Sequence, residues 1–418
     1  MPTNPTDETD DCAPESLSVA AARERIALAI EPVADTEQVP LKAALGRVLA
    51  HELLAPCDLP REANSAMDGY ALAGADIERA AADGVPLVGR SMAGHPYPRS
   101  LQRGECVRIM TGAVLPAGAD TVVMQEHAVA DGARVRVPAG TRTGQNVRHP
   151  GEDFRRGSSL LPGGRRLLPA DVGVAASVGL TQLEVRRRIR VAFFNTGDEI
   201  REAGAPLGPG EIYDSNRYTL AGMLERLGAE PVDLGIVPDD AAATVQAFRD
   251  AAAGADAILT SGGVSVGDAD FVRGAFSELG EIRFWRIAMK PGRPLAFGRL
   301  GGSWFFGLPG NPVSTMVTFY QFVQPALERL AGAENRPPLR LRLPLAQSVS
   351  KRPGREDYQR GRLLHAADGG LSVAPTGPQA SHILSSMSQA DCFIVLRAED
   401  GDQPAGAEVE VELLAGRV

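Results

Sequence analysis

Six carboxylates, two cations and a series of glycines fall in a few short segments of this chain. Asn195-Thr196-Gly197-Asp198-Glu199 follows the apolar run AFF, and Pro238-Asp239-Asp240 follows GIV. Ser261-Gly262-Gly263-Val264-Ser265-Val266-Gly267-Asp268-Ala269-Asp270 follows AILT, and Gly307-Leu308-Pro309-Gly310-Asn311-Pro312 follows WFF. Runs of this kind read as buried strands. In an open parallel sheet, ligands bind outside the carboxyl ends of the strands. Backbone N–H groups in Gly-rich loops and at helix N-termini bind anions. Thr196, Gly197, Asp198, Ser261, Gly262, Gly263, Ser265, Gly267, Pro309, Gly310 and Asn311 are therefore the candidate substrate-binding set, with Ser261 and Ser265 as hydroxyl donors. Gly262, Gly263, Pro309 and Pro312 also serve as loop formers. Lys290-Pro291-Gly292-Arg293-Pro294 adds two cations across a rigid turn. Asp198, Glu199, Asp239, Asp240, Asp268 and Asp270 share these loops, and carboxylates sit beside phosphate only with a cation between them. Mg2+ suits the arrangement, because it is usually held by one or two carboxylates plus phosphate. Helix N-capping accounts for one or two of the acids, Asp239 or Asp268, but not for all six.

The elements that must position these residues are readable from the pattern. Between residues 188 and 333 strands alternate with helices: RVAFFNT, then SNRYTLAGMLERLGA, EPVDLGIV, AAATVQAFRDAAAGA, DAILTS, ADFVRGAFSELG, WFFGLPG and NPVSTMVTFYQFVQPALERLAG. Such alternation implies a mostly parallel sheet covered on both faces, a three-layer α/β domain. Upstream, Val19, Ala22, Ile26, Ala27 and Ile30 mark one face of a helix that starts after Ser18 and stops before Pro32. A second short helical stretch lies around Leu41–Val48. Residues 70–140 carry short β-branched runs (GVPLVG, CVRIM, DTVVM, ARVRV) between turn residues and no helix of ordinary length. PADVGVAASVG reads as a helix with Pro169 in its first turn. Residues 339–418 alternate with period two, the mark of a small β domain.

Composition excludes several classes. The 418 residues are 44% hydrophobic and 23% charged, enough apolar residue for real cores. A net charge of −9 is a poor basis for nucleic-acid binding, which needs a cationic face. No run of about 18 apolar residues suggests a membrane span. The acidic N-terminus lacks the regions of a signal peptide, so a cytoplasmic location is the default. The four cysteines form no CxxC pair, which fits a reducing compartment. There is no P-loop, no GxGxxG after the first strand and no GxSxG elbow.

TGDE (196–199), SGGVSVGDAD (261–270), KPGRP (290–294) and GLPGNPVS (307–314) strongly resemble the molybdopterin molybdenumtransferases, the MoeA and gephyrin E-domain family. NSAMDGYA (64–71), RIMTGAVLPAGADTVVMQE (108–126), GEDF (151–154) and SHILSSM (381–387) match it too, so the resemblance runs from about residue 17 to the C-terminus. It implies an enzyme that binds adenylated molybdopterin and molybdate, cleaves the adenylate, inserts molybdenum into the dithiolene and releases AMP, with Mg2+ as cofactor. It implies an elongated connector (17–55 and 145–185), a β-rich second domain (56–144), the α/β domain (186–333) and a C-terminal β barrel (334–418); residues 1–16, outside the resemblance, are acidic and Pro-containing and read as a disordered tail. It also implies a homodimer whose active site is shared between subunits. A molybdopterin adenylyltransferase and acceptor molybdoenzymes are the implied protein partners; nucleic acid and membrane are not.

By the same resemblance the catalytic candidates are Asp68, Thr111, Asp153, Glu199, Asp240 (or Asp239), Asp270, Lys290, Arg293 and Ser381 (or Ser385). Glu199 and Asp270 are the metal candidates. Thr111 is read as a hydrogen-bond donor to molybdate. Arg293 stands where many members carry Lys, and Asp268 where Glu is common. Two other functions compete. The α/β domain alone resembles molybdopterin adenylyltransferases, which lack the second and fourth domains. A gephyrin-like chain can act as a scaffold, against which the intact acids speak for catalysis.

Overall fold

The computed structural model describes residues 15–262, 280–334, 336–365 and 369–414. The chain divides into two compact units, one of Gln38–Leu45 with His51–Glu184, the other of Met1–Glu37, Gly46–Ala50 and Val185–Val418.

The first unit is built on Gly69–Leu72 (β1), the short helix Ile77–Ala82 (α1), Val85–Ser91 (β2), Cys106–Ile109 (β3), Thr121–Met124 (β4), Val129–Ala130 (β5) and Arg134–Arg136 (β6). They form one six-stranded sheet in the order β4-β1-β3-β2-β6-β5. Successive residues of a strand point to opposite faces. Leu72, Cys106 and Val123 enter one core, and their neighbours Ala71, Val107 and Val122 enter another. Both faces are therefore covered, which explains why these strands read as short continuous apolar runs. The pairing of Gly69 with Ile109 sets Asp68, just before β1, beside the loop that follows β3. Helix Pro169–Ser177 (α2) begins with the expected proline, and the Asp171 carboxylate accepts the Leu168 N–H at 2.8 Å.

In the second unit the helix Val19–Ala29 is capped by Ser18, whose hydroxyl accepts the Ala21 N–H at 3.2 Å. Val19, Ala22, Ile26 and Ile30 are buried, whereas Ala27 is exposed. The α/β elements follow: Arg190–Thr196 (β7), Asn216–Leu227 (α3), Glu230–Val237 (β8), Ala241–Ala252 (α4), Ala257–Ser261 (β9), Gly280–Ile287 (β10), Met289–Lys290 (β11), Pro294–Leu300 (β12), Ser303–Leu308 (β13), Pro312–Thr318 (α5) and Gln324–Leu330 (α6). The sheet order is Glu15–Leu17, β10, β12, β13, β9, β7, β8. Pairs β13–β9, β9–β7 and β7–β8 are parallel, as is the pair of Glu15–Leu17 with β10. The antiparallel pairs β10–β12 and β12–β13 are an addition to the sequence reading. In β10 the buried Trp285 and Ile287 flank Arg286, a pattern hidden among arginines. The sheet is covered on both faces. Val191, Phe193 and Leu259 pack with Leu220 and Leu224 of α3, and Ala192, Phe194 and Ile258 pack with Phe248 of α4. The segment ADFVRGAFSELG lies almost wholly outside the described residues.

Helix α5 runs into α6 through a π turn at Phe319–Val323. Pro325 has no N–H to offer the Gln321 carbonyl, and that carbonyl accepts the Arg23 Nε–H at 2.9 Å instead. The C-terminal strands are Arg340–Pro344 (β14), Glu356–His365 (β15), Leu371–Pro375 (β16), Cys392–Leu396 (β17) and Glu408–Leu413 (β18). Their sheet order is β11-β15-β17-β18-β14, with β16 paired to the second half of β15. Ala346 N–H donates to the Val373 carbonyl at 2.8 Å, which closes the sheet on itself as a small barrel. Among the described residues no helix is long and apolar enough to cross a membrane.

Phe248 is fully buried, edge-on to Phe194 (5.1 Å between centroids) and Phe305 (5.5 Å). Phe248→Ala is expected to lower unfolding free energy by about 3–5 kcal/mol. Urea unfolding measures this, and a loss below about 1 kcal/mol would show that the α4 face is not close-packed.

Candidate active site

The carboxyl ends of β8, β7, β9 and β13 lie in that order along one edge of the sheet. Because β12 runs antiparallel to β13, with Ala296 opposite Gly307, its first residues lie at the same edge. The Lys290–Arg293 turn, just before β12, therefore belongs there too. At a strand spacing of about 4.8 Å, β7 and β12 are about 14 Å apart across three steps. Acids occupy one flank of the edge, Gly- and Ser-containing loops the middle, and cations the other flank.

On the acidic flank the loops after β7 and β8 hold each other. Asp198 N–H donates to Asp239 Oδ2 at 3.4 Å, and Asp239 N–H donates to Asp198 Oδ1 at 3.2 Å. Glu199 is exposed beside them, while Thr196 is buried. Asp240 is the N-cap of α4: its Oδ1 accepts the Ala243 N–H at 2.9 Å. The sequence reading offered Asp239 or Asp268 as caps and Asp240 or Asp239 as the catalytic candidate; the cap of α4 is Asp240. Asp239 is the carboxylate that faces the β7 loop.

In the middle, Ser261, read as a hydroxyl donor, has its hydroxyl engaged within the protein. Its buried hydroxyl accepts the Asn216 Nδ2–H at 2.8 Å and lies 3.2 Å from the Pro309 carbonyl and 3.3 Å from Thr315 Oγ1. The residue holds the loops together. Gly262 has φ +97°, and a Cβ there would lie 2.8 Å from the Thr196 carbonyl; only glycine allows this approach of two loops. Gly310 and Asn311 are exposed at the start of α5, and Pro309 is buried. Gly263, Ser265, Gly267, Asp268 and Asp270 lie outside the described residues.

On the cationic flank, Gly292 (φ +97°) packs its backbone on helix α5, where a Cβ would sit 2.5 Å from Thr318 Oγ1. Arg293 is exposed. Lys290 Nζ lies 3.6 Å from Oδ2 of the buried Asp357. The C-terminal barrel reaches the same edge, because the Ser381 carbonyl accepts the Val313 N–H of α5 at 3.0 Å. Ser381, rather than Ser385, is thereby tied to the β13 loop.

In the first unit, Asp68 Oδ1 accepts both the N–H and the hydroxyl of Thr111 at 2.7 Å. These bonds, the backbone one foremost, hold the Asp68 carboxyl below its ordinary range, and Arg108 adds to the effect. The hydroxyl's one proton is thus given to Asp68, so the donor role read for Thr111 is not available to it in this arrangement. Asp153 lines a separate cavity of 390 Å3 with Leu59, Pro60, Asn64, Arg148 and Glu152.

Several site residues escaped the sequence reading. Asp214 and Asn216 were not singled out, yet Asn195 Nδ2 donates to Asp214 Oδ1 at 2.5 Å, and Asn216 bridges Ser261 and Gly310. Burial raises the Asp214 carboxyl above its ordinary range. Arg360, hidden in a β run, is fully buried and donates to Ser386 Oγ at 3.1 Å. Burial brings its guanidinium down to about 10, partly opposed by Asp357. Arg148, three residues before GEDF, and Glu152, within it, were not singled out on their own.

Asp68 supplies a test of the first-unit pair. Its native pKa lies below the unfolded value, so its contribution to stability is present above the unfolded pKa of about 3.9 and is lost as pH falls through the native value. Thr111→Val keeps the N–H bond and removes the hydroxyl. The Asp68 pKa is expected to move up toward the ordinary value, read by carboxyl-carbon NMR titration; no movement would show that the hydroxyl bond is absent in solution.

The MoeA N-terminal region (domain I and II) matches residues 17–179. The probable molybdopterin binding domain matches residues 192–329 and the MoeA C-terminal region (domain IV) residues 342–414. A molybdopterin molybdenumtransferase of Haemophilus influenzae is 39% identical over 95% of this chain and 98% of its own length. That of a Nostoc species is 38% identical over 90% of this chain and 88% of its own. The crystal structure of the molybdopterin biosynthesis MoeA protein of Pyrococcus horikoshii superposes with a TM-score of 0.81 at 27% identity, covering 96% of this chain and all of that one. With its three regions in the family's order and identities of this size over nearly its whole length, the chain belongs to the MoeA family of molybdopterin molybdenumtransferases.

Proposed function

We propose that this chain is a transferase of molybdenum cofactor biosynthesis that inserts molybdate into the dithiolene of adenylated molybdopterin and releases AMP. The observation that carries the reading is the polarity of the sheet edge, acids at one flank and cations about 14 Å away at the other. A pterin phosphate joined to AMP through a pyrophosphate is an elongated polyanion, and an edge of this kind suits it. Lys290 and Arg293 would neutralise phosphate oxygens. The N–H groups of the Gly310–Asn311 turn, at the start of α5, would bind them as well.

The described donors also fit a hard cation. Asp198, Glu199 and Asp239 are exposed carboxylates on two interlocked loops. Mg2+ is usually held by one or two carboxylates and by phosphate, and these carboxylates would suit it. Glu199 and Asp270 would hold the ion, with Asp198 and Asp239 as further exposed carboxylates of these loops. When bound, it would neutralise charge developing on the cleaved phosphate. Asp68, ionised and fixed by Thr111, acts as an acceptor and orients a substrate N–H or O–H.

We further infer a cytoplasmic homodimer in which Asp68 and Thr111 of one subunit serve the α/β site of the other. Support comes from the family resemblance, and a purely monomeric species at micromolar concentration by analytical ultracentrifugation would remove this part.

The deciding experiment supplies purified protein with adenylated molybdopterin, Mg2+ and molybdate. Molybdate-dependent AMP release is the expected result. ATP-dependent adenylylation of molybdopterin would instead mark an adenylyltransferase, and no reaction a scaffold. Glu199→Gln is expected to depress AMP release most at limiting Mg2+; indifference there would remove Glu199 from the metal site. Lys290→Ala should weaken binding of the adenylated pterin about 10–150-fold, the cost of a lost charged hydrogen bond. Arg293→Lys, which retains charge, should cost less. Equal, near-wild-type affinities would contradict the anion role of this turn.

A further inference from the structure

Lys290 and Asp357 make an unequal pair. The Asp357 side chain is 5% exposed and that of Lys290 is 48% exposed. We propose that Asp357 is a positioning residue: from the C-terminal barrel it sets where the Lys290 ammonium stands at the sheet edge, and it governs anion binding through Lys290 rather than by touching substrate. The inference rests on the reading of Lys290 as an anion-binding cation.

Both backbones are pinned. Lys290 in β11 is opposite Asp357 in β15 in a parallel register, and the Glu356 N–H donates to the Ala288 carbonyl at 2.9 Å. The carboxylate is fixed as well. Gln359 Nε2 donates to Asp357 Oδ2 at 3.2 Å and to the Ser350 carbonyl at 2.9 Å. A lysine is a point charge on a four-carbon stem that otherwise samples many rotamers. At 3.6 Å the ammonium is tethered electrostatically without the short contact of a direct charge-assisted hydrogen bond. Its three N–H donors stay available to an anion on the solvent side.

Stability alone does not explain the acid. Burying a carboxylate is costly, and pairing with a half-exposed lysine recovers little of that cost. The other cation that feels Asp357 is the buried Arg360, whose hydrogen bonds go to the neutral oxygens of Ser386, Tyr358 and Ala380. The rival role for Asp357 is therefore to balance Arg360.

A double-mutant cycle on the full-length protein separates the two. Lys290→Ala, Asp357→Asn and the double variant are assayed for KM of adenylated molybdopterin and kcat of AMP release, with thermal melts alongside. Asp357→Asn is expected to raise KM about 10-fold with kcat changed less than about 2-fold, and the double variant to bind no worse than Lys290→Ala. Additive losses would assign Asp357 to Arg360 or to the fold and overturn the proposal. So would a loss in Lys290→Ala with none in Asp357→Asn. Wild-type binding by Lys290→Ala itself would overturn the reading of Lys290, and this inference with it. Should Asp357→Asn fail to fold, Gln359→Met, which frees the carboxylate while conserving volume, goes through the same cycle with the same expectations.

Discussion

The Asn216 carboxamide has two N–H bonds and gives both to loops. One reaches Ser261 Oγ after β9 at 2.8 Å, and the other reaches the Gly310 carbonyl after β13 at 2.7 Å. Two residues earlier Asp214 takes the amide of Asn195, near the end of β7. The first turn of α3 thus indexes three neighbouring strand ends against one another. Strands in a sheet twist and their ends splay, so loops at a carboxyl edge have no fixed spacing unless something outside the ladder supplies it. Here polar groups do so, and most of them are buried. A partly broken buried network is worse than none, so the arrangement is held as a unit and the loop backbone behind it keeps its geometry.

The other side of the same edge is held by a different domain. The Lys290–Arg293 turn is trapped between helix α5, through Gly292 on Thr318, and the barrel strand β15, through Lys290 and Asp357. The Ser381 carbonyl caps the Val313 N–H at the start of α5, an orphan donor of the helix terminus. The barrel therefore carries no sheet-edge loop of its own and still fixes two of them. Its alternating strands look generic in sequence, and its contribution lies in where β11 and the Ser381 segment join it.

The α/β alternation was legible because the strands AFF and AILT are apolar on both faces and the helices between them are long and punctuated, as at Gly228 with φ +81°. The loops were legible because glycine and acid after such strands have few other uses. What failed to show was any role set by a partner distant in sequence. Ser261 has the hydroxyl of a donor, but Asn216, 45 residues earlier, turns it inward. Thr111 has the hydroxyl of a donor, but Asp68, 43 residues earlier, takes its proton. Asp239 and Asp240 are adjacent and chemically identical, and only the start of α4 decides that Asp240 caps. Asp357 and Arg360 flank Tyr358 and Gln359 in a strand where all four side chains are buried, so period-two reading could not separate them from packing residues. Residue type announces chemistry, whereas the assignment of each proton and lone pair depends on which strand ends are neighbours.

The charge order along the edge has a consequence for what can bind there. Loops bearing only cations would accept any polyanion in any orientation, because Coulomb attraction carries no direction. Loops bearing only acids would need metal throughout. With Asp198, Glu199 and Asp239 at the β7–β8 flank and Lys290 and Arg293 at the β12 flank, a linear polyanion has two inequivalent ends. The end at the acids requires a divalent cation to be stable there, and the end at the lysine and arginine does not. A reversed ligand that carried no cation to the acids would leave them facing an anionic group, with like charges opposed at that end. The penalty for close like charges is several kcal/mol, enough to fix the orientation before any base or pterin contact is made. In the reaction proposed above, the group to be cleaved would meet the metal and the group to be modified would not, and a fixed orientation serves that division.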